Sequence, residues 1–350
     1  MKFETIGKSK QFYDFLKNEI LSDDYKPGDK FPSIRELSSK YGISVITVNS
    51  VISNLVTEGL LHVVQGKGTF VSEKKNSAKN KKIIGVILFD FSLENNIEAT
   101  MFNSIQGNLK DNYYVIPYNS YDKLDLFYKG IKGFSELGVD GMILTPPSTE
   151  DYDADTVKSL ITRDIPVVFI NRRVPGIKAD FLEMDFDDCV YKAMKHLLDK
   201  NKRSIAMVKS NSNTISEAMV RGYKRALNKG GISFDDKFII EWNENFGKVE
   251  KALEGLIGKI DGLVASDYFI YRLRRIIYAS GKKVPSDLSI VGINDTAYSR
   301  FMNPPLTVLP FTAKQIGEEA IKLIIGKLEN KITGEISRSF KTELIIREST

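Results

Sequence analysis

The chain has 350 residues, 42% hydrophobic and 27% charged, which is enough for more than one packed domain and unlike a disordered or collagen-like composition. A single cysteine, Cys189, excludes an intrachain disulfide, and the two histidines, His62 and His196, have no partner at metal-ligand spacing. The net charge of +5 is localised: residues 1–82 hold 14 Lys and Arg against 9 Asp and Glu, a balance of +5, while the remainder holds 36 of each. A basic segment ahead of a neutral body is the distribution that counterion release from nucleic-acid phosphates favours. The start, MKFETIGKSKQF, lacks an apolar core, and no run reaches about 18 apolar residues, so neither a secretory signal nor a membrane span is expected and the location is read as cytoplasmic. No HExxH, CxxC, GxSxG or phosphate-loop pattern appears, so the chain is read as no enzyme, with no cofactor and no metal.

In chain order, the spacing of Phe12, Phe15, Leu16 and Ile20 predicts a helix over residues 9–21. Pro27-Gly28-Asp29 makes a turn. Ser33 then caps a short helix carrying Ile34 and Leu37, which Gly42 breaks, and Ser44 caps a second helix. Val48, Val51, Ile52 and Leu55 fall on one stripe of that helix, while Val45, Thr47, Asn49, Ser50 and Asn54 lie on the opposite face. Helix, tight turn, helix is the arrangement that places its second helix in the major groove of double-stranded DNA. Leu61–Gln65 and Thr69–Val71 read as two strands joined by Gly66, Lys67 and Gly68, a basic hairpin tip able to approach a phosphate closely.

Residues 10–71, with KPGDKFPSIREL, YGIS, EGLL and QGKGTFV in order, resemble the winged helix-turn-helix of GntR-family transcription regulators. The resemblance implies DNA contacts from Ser33, Arg35, Ser44, Thr47, Gly66 and Lys67. The family usually has arginine where this chain has Val45, and often at Asn49. An asparagine suits adenine and a valine suits a thymine methyl, so an A·T-rich operator is expected; the alternative is that Val45 and Ile46 pack against protein and read nothing. SEKKNSAKNKK, residues 72–82, reads as a charged flexible linker.

From Ile83 onward, short apolar runs alternate with amphipathic stretches: IIGVILF, a helix over 98–110, YYVIPY, a helix over 123–137, DGMILT, a further helix and IPVVFI. A second series follows, with helices over 187–199, 217–228 and 269–279 between RSIAMV, FIIEW, DGLVAS and LSIVGIN. This β-α alternation predicts parallel sheets covered by helices, in two lobes with a ligand cleft at the carboxyl ends of the strands.

Residues 83–349 are similar to the effector-binding domain of LacI/GalR-type regulators, itself similar to periplasmic sugar-binding proteins. IIGVIL, GVDGMIL, IPVVFINR, VPSDLSIVGINDT, NPPLTV, GEEAIKLII and ELIIREST carry the likeness. The expected architecture is thus an N-terminal winged helix-turn-helix (α+β, residues 1–72), a linker (73–82) and a two-lobed α/β periplasmic-binding-protein-like domain (83–350). Lobe 1 is expected over 83–172 and 301–326, and lobe 2 over 173–300 and 327–350. The combination is similar to arabinose-responsive repressors.

Carried over residue by residue, the likeness implies an effector site from Asn171 and Arg172, Ser266 and Asp267, Asn294 and Asp295, with Trp242 against a sugar face, and a first-strand loop containing Asp90, Phe91 and Glu94. The family's sugar-binding arginine is here Met219. Arg221, about 200° further round a helix, is expected at the surface. With Asn171 for Asp and Ser266 for Asn, the pocket is expected to be less polar than usual, suiting a pentose or 6-deoxyhexose. The implied protein is a homodimeric repressor switched by a monosaccharide; a nucleobase or other metabolite is the alternative effector. A transport-type solute-binding protein predicts a signal peptide and no DNA-reading head, and a sugar-acting enzyme predicts a clustered acid/base pair; neither prediction fits the sequence.

Overall fold

The computed structural model describes residues 8–21, 25–72, 81–90, 96–148, 152–161, 164–174, 176–209, 213–242 and 245–350. These form two compact units, divided at Lys81 and Lys82.

The first unit contains α1 (Lys8–Leu21), α2 (Ile34–Tyr41), α3 (Val45–Thr57), β1 (Leu61–Val64) and β2 (Gly68–Val71). Ser33 and Glu36 cap α2 reciprocally: the Glu36 amide donates to Ser33 Oγ at 3.3 Å and the Ser33 amide to Glu36 Oε2 at 2.7 Å. Gly42 ends α2 at φ 63°, a left-handed conformation that costs glycine little. Ser44 restarts the helix by accepting from the Thr47 amide at 3.2 Å. The predicted stripe of α3 is buried with Phe12, Leu16, Ile20, Leu37, Leu61 and Val71 in one core, each such side chain stabilising the unit by about 1.5–3 kcal/mol. β1 and β2 pair antiparallel with Leu61 opposite Val71. The segment before α2 pairs along the edge of β2 through a single antiparallel bridge, since the Phe31 amide donates to the Thr69 carbonyl and the Val71 amide to the Asp29 carbonyl, both at 2.8 Å.

The second unit runs β3 (Lys82–Leu88), α4 (Asn96–Gly107), β4 (Tyr113–Asn119), α5 (Leu124–Leu137), β5 (Gly141–Leu144), α6 (Ala154–Leu160), β6 (Val167–Ile170), β7 (Asp180–Met184) and α7 (Phe186–Asp199). It continues through β8 (Ile205–Lys209), α8 (Asn213–Lys229), β9 (Ile239–Glu241), α9 (Phe246–Leu256), β10 (Gly262–Ser266) and α10 (Asp267–Ala279). It closes with β11 (Ser289–Ile293), α11 (Ala297–Phe301), β12 (Thr307–Leu309), α12 (Ala313–Leu328) and β13 (Ser337–Phe340). The strands make two sheets, ordered β13-β7-β6-β5-β3-β4 and β12-β11-β10-β8-β9, parallel throughout. β5 and β6 are buried along their whole length, as helices on both faces require. Gly222 lets α8 lie close on α7, where a Cβ would overlap the Asp187 carbonyl.

The lobe limits differ from those expected. β7 pairs with β6, Val168 opposite Asp180, so the chain leaves the first sheet after Met184 and not after Arg172. β12 pairs with β11, Val291 opposite Thr307, and so belongs to the second sheet. β13 returns to the first sheet beside β7. The final residues cross back, where Ile345 bridges Val308 and Ser349 Oγ accepts from the Thr307 amide at 2.8 Å. Lys82, expected in the linker, already pairs with Tyr113. Most of the expected linker lies outside the described residues.

Candidate functional site

On the first unit, the wing and the two capped helices set out the residues expected to meet DNA. Ser33, Arg35, Ser44, Val45, Asn49, Gly66, Lys67 and Gly68 are exposed, and Thr47 is half-buried, its hydroxyl 2.8 Å from Ser44 Oγ. Ser33, Arg35 and Gly68 share one depression with Lys30 and Thr69, where the first turn of α2 meets the wing. A helix N-terminus flanked by cations is suited to a phosphate. Val45 and Ile46 are 52% and 83% exposed, so they do not pack against this unit. No residue of α3 is charged, which leaves its outer face hydroxyls, amides and methyl groups.

On the second unit, a cavity of about 360 Å³ opens at the carboxyl ends of strands from both sheets, the place where open α/β sheets bind ligands. Lobe 1 supplies Phe89 after β3, Ile97 and Glu98 from the first turn of α4, and Asn171 and Arg172 after β6. Lobe 2 supplies Val208 of β8, Ile215 and Met219 of α8, Trp242 after β9, Ser266 and Phe269 around the start of α10, and Ile293 and Asn294 at the end of β11. Phe186 at the start of α7 and Phe311 between β12 and α12 complete the lining.

Of the residues expected from sequence, the cavity brings together Asn171, Arg172, Met219, Trp242, Ser266 and Asn294. Asn171 and Asn294 both adopt positive φ, 58° and 80°, which asparagine tolerates better than most residues. Asn171 Oδ1 also accepts from the Met184 amide at 3.2 Å, which fixes the side chain beside β7. Arg172 lies over the Phe89 ring at 4.8 Å and donates from Nη1 to the Pro146 carbonyl at 3.2 Å, while its Nε, sealed from solvent, has no partner. Burial holds this guanidinium below its ordinary pKa, against the pull of Asp122, Tyr152 and Glu98. Trp242 packs on Phe269 at 5.2 Å and Phe246 at 6.3 Å, an aromatic wall on the lobe 2 side. Ser266 also caps α10 by accepting from the Phe269 amide at 3.3 Å.

Two expected contacts are corrected. Asp267 is buried in a loop latch: Oδ2 accepts from the amide and hydroxyl of Thr296, both at 2.7 Å, and Oδ1 from the Tyr268 amide at 2.9 Å. Asp295 accepts from Ser299 at 2.6 Å and ion-pairs with Arg347 at 2.9 Å and Arg300 at 3.1 Å. Burial alone would raise its pKa, but these three partners hold it below the usual carboxylate value. Asp90 lies beside the lining rather than in it, close enough to Glu98 to oppose that residue's ionisation. In each carboxylate pair expected from the likeness, the aspartate side chain is thus consumed by its own lobe. Phe91 and Glu94 lie outside the described residues. Arg221 is exposed as expected, ion-paired with Asp187 at 3.5 Å.

Sequence reasoning missed Phe89, Ile97, Phe186, Val208, Ile215, Phe269, Ile293 and Phe311, whose apolar character matches any strand-end residue. It also missed Glu98, which reads in sequence as an ordinary acid in a first helical turn. Glu98 is buried and its Oε2 has no hydrogen-bond partner. Burial pushes its carboxyl up to about 7, while a hydrogen bond from the Phe89 amide and the charge of Arg172 pull it down. Among the described residues, no helix is long and apolar enough to cross a membrane, and no group of His, Cys, Asp and Glu is placed to hold a metal.

Known families match successive, partly overlapping parts of the chain. Residues 8–71 match the bacterial regulatory proteins of the gntR family, residues 99–259 the periplasmic binding proteins and sugar binding domain of the LacI family, and residues 194–350 a periplasmic binding protein-like domain. The arabinose metabolism transcriptional repressor of Halalkalibacterium halodurans is 26% identical over 96% of this chain and 94% of its own length. Among solved structures, the transcriptional regulator CelR–cellobiose complex aligns with a TM-score of 0.67 at 17% identity, covering 91% of this chain and all of that one. A LacI family transcriptional regulator from Enterococcus faecium with bound ribose aligns at 0.65 and 22% identity, covering 77% of this chain and 98% of that one. At these identities the structural likeness establishes the fold.

Proposed function

Given that this chain is a transcription regulator joining a GntR-type helix-turn-helix region to a LacI-type, periplasmic-binding-protein-like domain, we propose that it is a repressor released from its operator by a monosaccharide. The observation that carries this reading is the cavity lined by strand ends of both sheets. A ligand there touches both lobes, so its binding free energy depends on how the lobes are arranged, and it shifts the population toward the arrangement it prefers. Coupling of about 1–3 kcal/mol between the cavity and the DNA-reading unit gives roughly 5–150-fold control of operator affinity. Two copies pair through their second units, so that two winged helices meet a palindromic operator.

In this reading α3 enters the major groove, with Val45, Thr47 and Asn49 toward base edges, while Ser33, Arg35, Ser44, Gly66, Lys67 and Gly68 meet the backbone. The aromatic wall of Trp242 and Phe269 supports the apolar face of a sugar ring. A pentose or 6-deoxyhexose matches the small cavity and its few polar groups. The same wall favours a nucleoside as the second reading. The protein acts in the cytoplasm, where its DNA is.

The test is fluorescence-anisotropy binding of the full chain to DNA upstream of its own gene and to sites selected from a random library, titrated with monosaccharides and nucleosides. Salt-sensitive binding released by one sugar is expected. Release by a nucleoside alone replaces the effector class, and failure to select any DNA removes the regulator reading.

A further inference from the structure

Among the described residues lining the cavity, Glu98 and Arg172 are the charged ones, and both come from lobe 1. Glu98 is buried with Oε2 unsatisfied, and Arg172 Nε is sealed from solvent without an acceptor. A buried acceptor and a buried donor left unpaired on two residues of one lining are both destabilising, and a ligand group of complementary kind that reaches them relieves the cost. Among the described residues that line the cavity, lobe 2 supplies no cation, and its position on α8 is Met219.

Which ligand relieves both follows from charge. A carboxylate or phosphate suits Arg172, but beside an ionised Glu98 it supplies no donor through its charged group and adds a second negative charge. An ammonium group suits Glu98 and leaves Arg172 unanswered. A hydroxyl donates through its hydrogen and accepts through its oxygen, so an uncharged polyol satisfies both atoms without adding charge.

Resting on the effector-site reading above, we propose that Glu98 is the specificity-determining residue of this cavity: it accepts a hydrogen bond from one ring hydroxyl and, with Arg172, selects neutral sugars against sugar acids and sugar phosphates. Burial holds this carboxyl up at about 7, and a hydroxyl donating to it would favour the ionised form. Glu98 thereby takes the polar role that the cavity lacks at Met219.

The test is calorimetric binding of the full chain to neutral aldopentoses, aldohexoses and 6-deoxyhexoses, to their uronic and aldonic acids, and to their phosphate monoesters. The tightest neutral sugar is then compared with its monodeoxy analogues on wild type, Glu98→Ala and Glu98→Gln. We expect the acids and phosphates to bind at least tenfold more weakly than the neutral sugar. One deoxy analogue loses at least tenfold on wild type and under twofold on Glu98→Ala, as coupling between two touching groups requires. A Glu98 that only supports the fold would weaken every analogue alike, and that pattern overturns the proposal. Preferred binding of an acid or phosphate also overturns it while leaving the effector site in place. Binding of no member of any class, with DNA binding intact, removes the sugar-site reading itself. Glu98→Gln keeps the side chain's shape and serves as the comparison if Glu98→Ala does not fold.

Discussion

Replacing Glu98 by Gln removes a titrating group that the fold handles poorly when charged. Its carboxyl is raised from 4.5 to about 7, chiefly by burial, with Asp90 and Asp122 adding to the rise and the Phe89 amide and Arg172 opposing it. The sign follows from the two states. Below about pH 4.5 both folded and unfolded chains hold the proton, and the group carries no penalty. Between about 4.5 and 7 the unfolded chain releases its proton first, so stability falls as pH rises. Above about 7 the full penalty stands: about 2.5 pKa units at about 1.4 kcal/mol each, or roughly 3.5 kcal/mol. Glutamine does not titrate, so Glu98→Gln should gain roughly 2.5 kcal/mol on wild type between about pH 5 and about pH 8, on top of a constant offset for the amide. Urea unfolding followed by Trp242 fluorescence measures this directly, since the only tryptophan lies in the second unit. A difference between the two proteins that stays constant across this pH range would refute the buried, unpaired carboxyl.

Trp242→Ala removes the ring that packs on Phe269 and lines the cavity; sugar should no longer release DNA, while operator affinity without sugar stays within about twofold. Equal loss of both would count against separate sites. Lys67→Ala on the wing tip should weaken binding to all DNA sequences and reduce the salt slope by about one, whereas an unchanged slope takes the wing off the phosphates. Asp267→Ala strands the Thr296 amide and hydroxyl and the Tyr268 amide that its carboxylate accepts from, and should cost about 3 kcal/mol in denaturant unfolding of the second unit. A loss below about 1 kcal/mol would mean that water replaces the latch.

Much of the first unit was legible from local chemistry. Ser33, Gly42 and Ser44 are capping and breaking signals that act within a few residues, so α2 and α3 lie where the sequence places them. The apolar stripe of α3 and the alternation of strands and helices beyond Lys82 depend only on periodicity, which also sets which face is buried. Lobe membership did not follow from the sequence, because the same short apolar run fits either sheet. Only the pairing of Val168 with Asp180, and of Val291 with Thr307, places β7 in one sheet and β12 in the other. The cavity has the same dependence. Asp267 and Asp295 look like ligand-facing acids in sequence, yet Thr296 and Arg347, brought in by neighbouring loops and the chain end, occupy them. Glu98 looks like a surface acid on a helix, yet packing buries it beside Arg172 with an oxygen unpaired. Sequence determined the elements, because capping and periodicity are short-range; tertiary structure decided which polar atoms remain for a ligand, because that depends on partners distant in the chain.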